Sequence, residues 1–376
     1  MSGKINLLIT LLIALLLSGC WDSRGLDKLA FPLAGAYDVH SHDSADIHDP
    51  STKPSKNLID VTVLVPNLTP KAQTEINVET LSGTSATDVR QQRGLTDADA
   101  YVIGMLRVII VGEKLAERGL NKYMDALLRS ADIPGTVYFA VAAGRGEDIL
   151  KTPEKNYGNM GFFLIGLFEG MKQRTFVPVG TLVDYFNQSP GRNPVAPILE
   201  RKGDRVIVNG AAVFNKDKLV QKLNVEEGHD LVLLRGIKAH SYQPFEAKHG
   251  NMRHWGSALV TNSRKVQYYH DQQGHNFMIT VKLKGVLAEH SHSVPITEKH
   301  IHEIENTIEK TLQDQFETFI AKMQNDYKVD CIDISKYALA KNRRDLEKEV
   351  DRPEFIQNAN IQVKVNVHLE NTSEAR

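Results

Sequence analysis

Leu106-Arg107-Val108-Ile109-Ile110-Val111-Gly112 opens the segment whose reading decides the fold, and Val137-Tyr138-Phe139-Ala140-Val141-Ala142 closes it. Both are near-continuous apolar runs of strand length, as expected of strands buried on two faces. Between them Leu115, Leu120, Tyr123, Met124, Leu127 and Leu128 recur at helical spacing up to about Ser130, and Pro134 and Gly135 end the pattern. Strand, helix and strand within about 40 residues make a βαβ unit, whose right-handed crossover sets the two strands parallel. The first half of the chain is therefore mixed α/β.

Working outward, Ile59, Val61, Val63 and Val65 alternate with Asp60, Thr62 and Leu64 until Pro66 and Asn67, which predicts a half-buried strand. Residues 40–57 carry His40, His42, Asp43, Asp46, His48 and Asp49 with almost no apolar residue and read as an exposed loop. Downstream, Ser189, Pro190, Gly191, Pro194 and Pro197, followed by the charged stretch Glu200 to Asp204, read as an interdomain linker. Beyond it Val206 to Phe214 and Asp230 to Leu234 are expected as strands around a short helix near Lys218. Asn276 to Leu287 is expected as a long strand with a bulge at Gly285.

The clearest helix starts at Thr297, an N-cap behind Pro295. Ile301, Ile304, Ile308, Leu312, Phe316, Phe319, Met323 and Tyr327 recur every three or four residues, while Glu303, Glu305, Glu309, Lys310 and Lys322 take the polar face. Ile361, Val363, Val365, Val367 and Leu369 then alternate with Gln362, Lys364, Asn366, His368 and Glu370, a strand with one core face and one wet face. The fold expected is mixed α/β with α+β character: several domains, mixed sheets with packed helices, and a mainly antiparallel C-terminal sheet carrying the long amphipathic helix. The divisions are a leader over 1–19, an N-terminal α/β domain over 20–200, and a C-terminal α+β domain over 201–376, divisible near 271.

Of 376 residues, 41% are apolar and 24% charged, an ordinary globular balance that excludes wholesale disorder and a polytopic membrane protein. Lys and Arg number 45 against 46 Asp and Glu with no basic stretch, so the electrostatic footprint of nucleic-acid binding is missing.

The leader carries one charge, Lys4, before the apolar run Ile5 to Leu17, broken only by Asn6 and Thr10. The run is shorter than the ~20 residues a spanning helix needs. Leu17-Ser18-Gly19-Cys20 resembles the bacterial lipobox, in which a peptidase cuts before a cysteine already carrying diacylglycerol. One acyl chain binds membranes only marginally, whereas a diacylglyceryl thioether supplies two, so Cys20 is the expected lipidation site and stable anchor. The other cysteine, Cys331, lies among Val329, Ile332 and Ile334 and reads as a small buried hydrophobe. With Cys20 acylated, no intramolecular disulfide can form.

Cys20-Trp21-Asp22-Ser23-Arg24-Gly25-Leu26-Asp27-Lys28-Leu29-Ala30-Phe31 resembles the start of the mature C-type subunits of spore nutrient germinant receptors, the Ger(x)C lipoprotein family. The resemblance continues through Arg107 to Ala116 with Gly119-Leu120, and through Asn209-Gly210-Ala211-Ala212-Val213-Phe214 with Asp217-Lys218-Leu219-Val220, in the family's order. A Gly-Phe-Gly-like turn with a following Lys-Tyr-Pro and Trp, usual near the family's C-terminus, is missing from Cys331 to Asp351. The resemblance implies a three-domain α/β scaffold, spore germination as its setting, and lipid anchoring on the outer face of the inner spore membrane. It also implies two partners, an A-type membrane subunit and a B-type permease-like subunit.

Constellations for catalysis fail on spacing. His40-Ser41-His42, His290-Ser291-His292 and His300-Ile301-His302 lack the convergent ligands and helical spacing that zinc requires, and read as polar decoration of exposed loops. Gly144-Arg145-Gly146 has Ile149 where a dinucleotide loop needs a third glycine. Gly112-Glu113-Lys114 lacks the upstream glycine and the hydroxyl residue of a P-loop; it reads as a tight strand-to-helix turn with Glu113 at the helix N-terminus. Glu226-Glu227 reads as solvated surface. No catalytic, cofactor or metal residue is expected, and the protein is read as a non-enzymatic receptor subunit. The alternative is a lipid-anchored solute-binding protein of a transporter, which requires two similar doubly wound lobes around a cleft.

Overall fold

The computed structural model describes Gly3 and residues 28–40, 58–67, 76–174, 176–187, 189–249, 252–272, 274–291 and 297–370. The rest of the leader, Cys20, Trp21 to Asp27, most of the predicted loop (41–57), His42, His292 and Pro295 lie outside the described residues.

Strands β1 (Leu29–Ala30), β2 (Ala34–Val39), β3 (Ile59–Pro66) and β4 (Ile76–Gly83) come first, then helix α1 (Ala86–Thr96), which Ser85 caps by accepting from Asp88 N. After the two-residue β5 (Ala100–Tyr101), which pairs in parallel with β1, the segment read first from sequence begins. Its strands are β6 (Val108–Gly112) and β7 (Tyr138–Ala142), every residue of both is buried, and they pair in parallel as the crossover rule requires. The connecting helix is two helices, α2 (Glu113–Arg118) and α3 (Asn121–Arg129). Gly119 ends α2 at φ 104°, a conformation open to glycine, and the apolar spacing simply carries on across the break.

Helices α4 (Gly146–Leu150) and α5 (Met160–Gln173), the short β8 (Gly180–Thr181) and α6 (Leu182–Phe186) lead to β9 (Val195–Lys202). The predicted linker is thus corrected to a strand inside a sheet. β9 pairs in parallel with β7 from Ile198 onward, one residue past Pro197, so the proline costs that ladder nothing. It turns through Gly203 into β10 (Arg205–Asn215), and the sheet takes strands from both sides of residue 200. β10 continues into β11 (Lys218–Leu223), so the short helix expected near Lys218 is a hairpin strand.

These strands form a nine-stranded mixed sheet in the order β11-β10-β9-β7-β6-β2-β3-β4, with β8 paired to β7. One face buries Ile109, Val111, Phe139, Leu115 and Met124 under α2 and α3; the other buries Val108, Ile110, Ala140, Leu164 and Phe168 under α5.

The residues expected as a strand at 230–234 belong to helix α7 (Val225–Arg235). Leu231, Val232, Leu233 and Leu234 are all buried, so the helix is apolar around most of its girth and its period is invisible in sequence. The C-terminal sheet is β12 (His240–His249), β13 (Met252–Asp271), β14 (Gly274–His290) and β15 (Asn360–Glu370), in that order. β12, β13 and β14 form an antiparallel meander, while β15 pairs with β14 in parallel, Val281 beside Val365. Register runs unbroken through Gly285; the irregularity falls between Ser257 and Ala258 of β13.

The long helix α8 (Glu298–Lys322) starts at Thr297 as expected, in a capping box with His300, and passes through a π-helical turn at Met323–Tyr327. Its apolar stripe, Ile301 to Phe316 and on to Ile320, is buried. Two polar-face residues do more than meet water. Glu305 Oε1 accepts from Leu369 N at 2.7 Å, and Glu309 Oε1 accepts from Val367 N at 2.8 Å. Gln313 Nε2 donates to Val363 O at 2.6 Å. Glu305, Glu309 and Gln313, one turn apart, therefore hold three backbone groups of the edge strand β15. Short helices α9 (Ser335–Lys341), α10 (Arg343–Leu346) and α11 (Pro353–Gln357) fill the path to β15. One core runs from this sheet through α8 and α7 to Ala211, Val213 and Leu223 of the larger sheet. The architecture is the mixed α/β, multi-domain fold expected from sequence.

Candidate functional site

At the carboxyl ends of β2, β6 and β7, turns converge on a cavity of about 410 Å³ lined by Asp38, His40, Gly112, Lys114, Arg118 and Arg145, among others. Asp38, next to last in β2, accepts from Gly146 N at 2.8 Å and Glu147 N at 2.9 Å, capping the one-turn helix α4. Burial pushes its carboxyl above the usual range, more strongly than those two N–H bonds lower it. A Cβ on Gly112 would lie 2.1 Å from Asp38 Oδ1, which is why this turn requires glycine.

Asp60 of β3 lies 2.6 Å from His40 Nδ1 and accepts from Ser82 Oγ at 2.7 Å and Arg145 Nη2 at 2.8 Å. Burial raises the Asp60 carboxyl, but these three partners outweigh it and hold the group low. Arg145 also donates to Val39 O at 3.0 Å and Glu147 Oε2 at 2.8 Å, while Glu147 Oε1 takes Lys151 Nζ at 2.6 Å and Thr80 Oγ1 at 2.9 Å. The sequence signals of this network are the strand alternation at Asp60, the rejected Gly144-Arg145-Gly146 loop and His40 of the rejected His40-Ser41-His42 pair. Its charges are spent on one another and tie the turn after β7 to β2, β3 and β4.

The stretches that carried the family resemblance meet at the other end of α2. Leu120 N donates to Asp217 O at 3.0 Å and Asn121 N to Asp217 Oδ2 at 3.2 Å, while Glu113 pairs with Lys222. Gly119-Leu120 and Asp217-Lys218 thus form one joint between the βαβ unit and the β10–β11 hairpin, and Glu113 stands at the N-terminus of α2 as read.

Of the paired histidines, His42 and His292 lie outside the described residues, and the described ones are not loop decoration. His40 is in the Asp60 network, and His300 and His302 lie on α8, the latter 2.8 Å from Glu305 Oε2. The His254 ring lies 5.4 Å from that of His290 and 6.4 Å from that of His300. Among the described residues no group of three or more His, Cys, Asp or Glu side chains is placed to hold a metal ion. Cys331 is fully buried, and burial pushes its thiol far above the usual range, so little thiolate forms. Where the chain passes between the two sheets, Arg235 donates to Cys331 O at 2.8 Å and Asn193 O at 3.3 Å. Asp330 Oδ2 accepts from Ile334 N and Ser335 N.

Glu227 is not merely solvated either. It closes the capping box of α7 with Asn224 and pairs with Lys322 of α8 at 2.8 Å. Behind it burial, then Glu227 and Glu226, push the Asp230 carboxyl up to about 7, against Lys322. A folded-state value above the unfolded one means that stability falls as pH rises from about 4 to about 7 and is level beyond. Linkage over the whole shift is ~4 kcal/mol at most, reduced by partial solvent contact. Asp230→Asn is therefore expected to stabilise the protein by about 1–2 kcal/mol more at pH 8 than at pH 4.5, measured by urea unfolding. An equal gain at both values would contradict the assignment.

Two unlike sheets are joined through one of the cores, and the network around Asp60 and Arg145 is closed on itself. A family model described as "Spore germination protein N-terminal domain" matches residues 22–201, and one described as "Spore germination B3/ GerAC like, C-terminal" matches residues 209–373. The chain belongs to the GerAC-like family of spore germination proteins. It is 22% identical over 363 residues to spore germination protein B3 of Bacillus subtilis, covering 89% of this chain and 88% of that one. It is 22% identical over 222 residues to spore germination protein GerQC of Bacillus cereus, 58% of each chain, so that match spans less than two thirds of its relative. The crystal structure of the GerBC protein superposes with a TM-score of 0.58 at 17% identity, over 83% of this chain and 94% of that one, a likeness of fold. None of the described helices is long and apolar enough to cross a membrane.

Proposed function

We propose that the protein is the lipid-anchored, non-enzymatic C-type subunit of a spore nutrient germinant receptor. It acts with A-type and B-type membrane subunits to couple nutrient sensing to germination. A diacylglyceryl group on Cys20 holds it at the outer face of the inner spore membrane. The observation that carries the reading is the match of both family halves, in order, over nearly the whole chain after Cys20. The geometry supports it as well: the clusters around Asp60 and around Asp217 hold turns and helix ends together. The solute-binding alternative calls for two similar lobes, and sheets of nine and four strands are unlike.

Deleting the coding gene tests the proposal. Mutant spores are expected to lose the response to the nutrients read by this receptor while germinating normally with a trigger that acts downstream of it. Loss of germination to every trigger, or an unchanged response to every nutrient, would overturn the reading.

A further inference from the structure

A second cavity, of about 280 Å³, lies away from the polar network, between α1, α3 and the face of β2 and β3. Its walls are largely apolar: Val61, Val63, Leu106, Leu127 and Ile133 with the ring of Tyr37. Into this lining α1 brings two guanidinium groups, Arg90 and Arg93, against a single lining carboxylate, Asp99. Arg93 is only 4% exposed.

A guanidinium carries five N–H donors, and a buried one is stable when they are used. Arg93 Nη2 donates to Val61 O at 3.2 Å and Glu79 O at 3.1 Å. Among the described residues Nη1 has long contacts alone, to the Tyr101 hydroxyl at 3.4 Å and Glu79 Oε2 at 3.5 Å. Nε is buried with no partner among the described residues. Among the described residues Arg90 reaches the exposed Asp132, at 3.5 Å. The cavity thus joins apolar walls to positive charge that its own carboxylates meet weakly, a combination suited to an anion with an apolar body.

We propose that this cavity is a binding site for a small monocarboxylate with an apolar body, the carboxylate held by Arg93 with Arg90 beside it and the body against Val61, Val63 and Leu127. A planar carboxylate can take two guanidinium N–H groups at once, which a neutral amide of the same shape cannot do with full charge assistance. The inference stands on the cavity and not on the receptor reading.

The test uses the full chain in phosphatidylcholine nanodiscs, with empty nanodiscs as the blank, and 3-phenylpropanoate and its amide as probes in titration calorimetry. The acid is expected to bind saturably and about tenfold or more tighter than the amide. Arg93→Gln should remove that preference. Ala126→Leu, which adds bulk to the lining of the cavity and leaves both arginines in place, should weaken the binding of both probes at an unchanged melting temperature. Absence of saturable binding to the wild type, equal affinity for acid and amide, or undiminished binding by Ala126→Leu would each overturn the proposal.

Discussion

Val365→Asp is expected to cost several kcal/mol of folding stability, whereas Asn366→Asp, one residue along the same strand, should change it by no more than about 0.5 kcal/mol. Val365 is 5% exposed on the core face of β15, beside Val281 of β14 and under the apolar stripe of α8. A carboxylate there must either stay charged without a partner or take up a proton, and both are unfavourable in an apolar core. Asn366 points to the other face, opposite Lys282, where an added carboxylate meets water and a positive neighbour. Because the side-chain period of a strand is two, the pair reports register directly. Equal melting temperatures for the two variants would show that β15 is not seated as described.

The second large effect concerns attachment. If the diacylglyceryl group on Cys20 is what holds the protein to lipid, Cys20→Ala should abolish lipid incorporation and leave the protein either unprocessed at its leader or free of the membrane. No described helix can substitute for the anchor by crossing the bilayer. Receptor output should fall with it, because a subunit that leaves the surface loses its effective concentration near its partners. Metabolic labelling with a fatty acid, mobility of the chain and fractionation of spore membranes read the three effects separately. Normal processing, labelling and retention of the variant would overturn the role of Cys20.

The parts of the fold legible in the sequence are those where one physical rule acts alone. The βαβ unit at 106–142 and the alternation at 361–369 are strands whose burial pattern is undisturbed, and the long helix from Thr297 combines a cap with an unbroken apolar stripe. The misreadings come from places where two rules compete. At 189–204 proline, glycine and charge suggested a linker, yet Ile198 and Leu199 pair with β7 and are buried. At 230–234 a helix wedged into a core on most of its sides has no polar face to reveal its period. Glu305 and Glu309 sat on the polar face of α8, and nothing in a helical wheel shows that this face lies against the rim of a sheet. The two arginines of the second cavity belong to α1, a mostly polar segment, and gain their meaning only from what β2, β3 and α3 place around them. Asp38, Asp60 and Arg145 are brought together from three separate strand ends, which only the sheet order makes neighbours.

The row of Glu305, Glu309 and Gln313 along β15 has a bearing on how copies of this chain could stack. A sheet extends by adding strands from another molecule, and continued growth into a fibre requires two open borders per copy. Here α8 takes three backbone groups at one border of the four-stranded sheet, Val363 O, Val367 N and Leu369 N, and β12, with Pro244 in its middle, forms the other border. Addition through β12 turns outward the border of the joining copy that α8 covers, where three of the pairing groups are already engaged. Even at the crowded surface where a receptor subunit would sit, growth of this sheet beyond one matched pair is disfavoured.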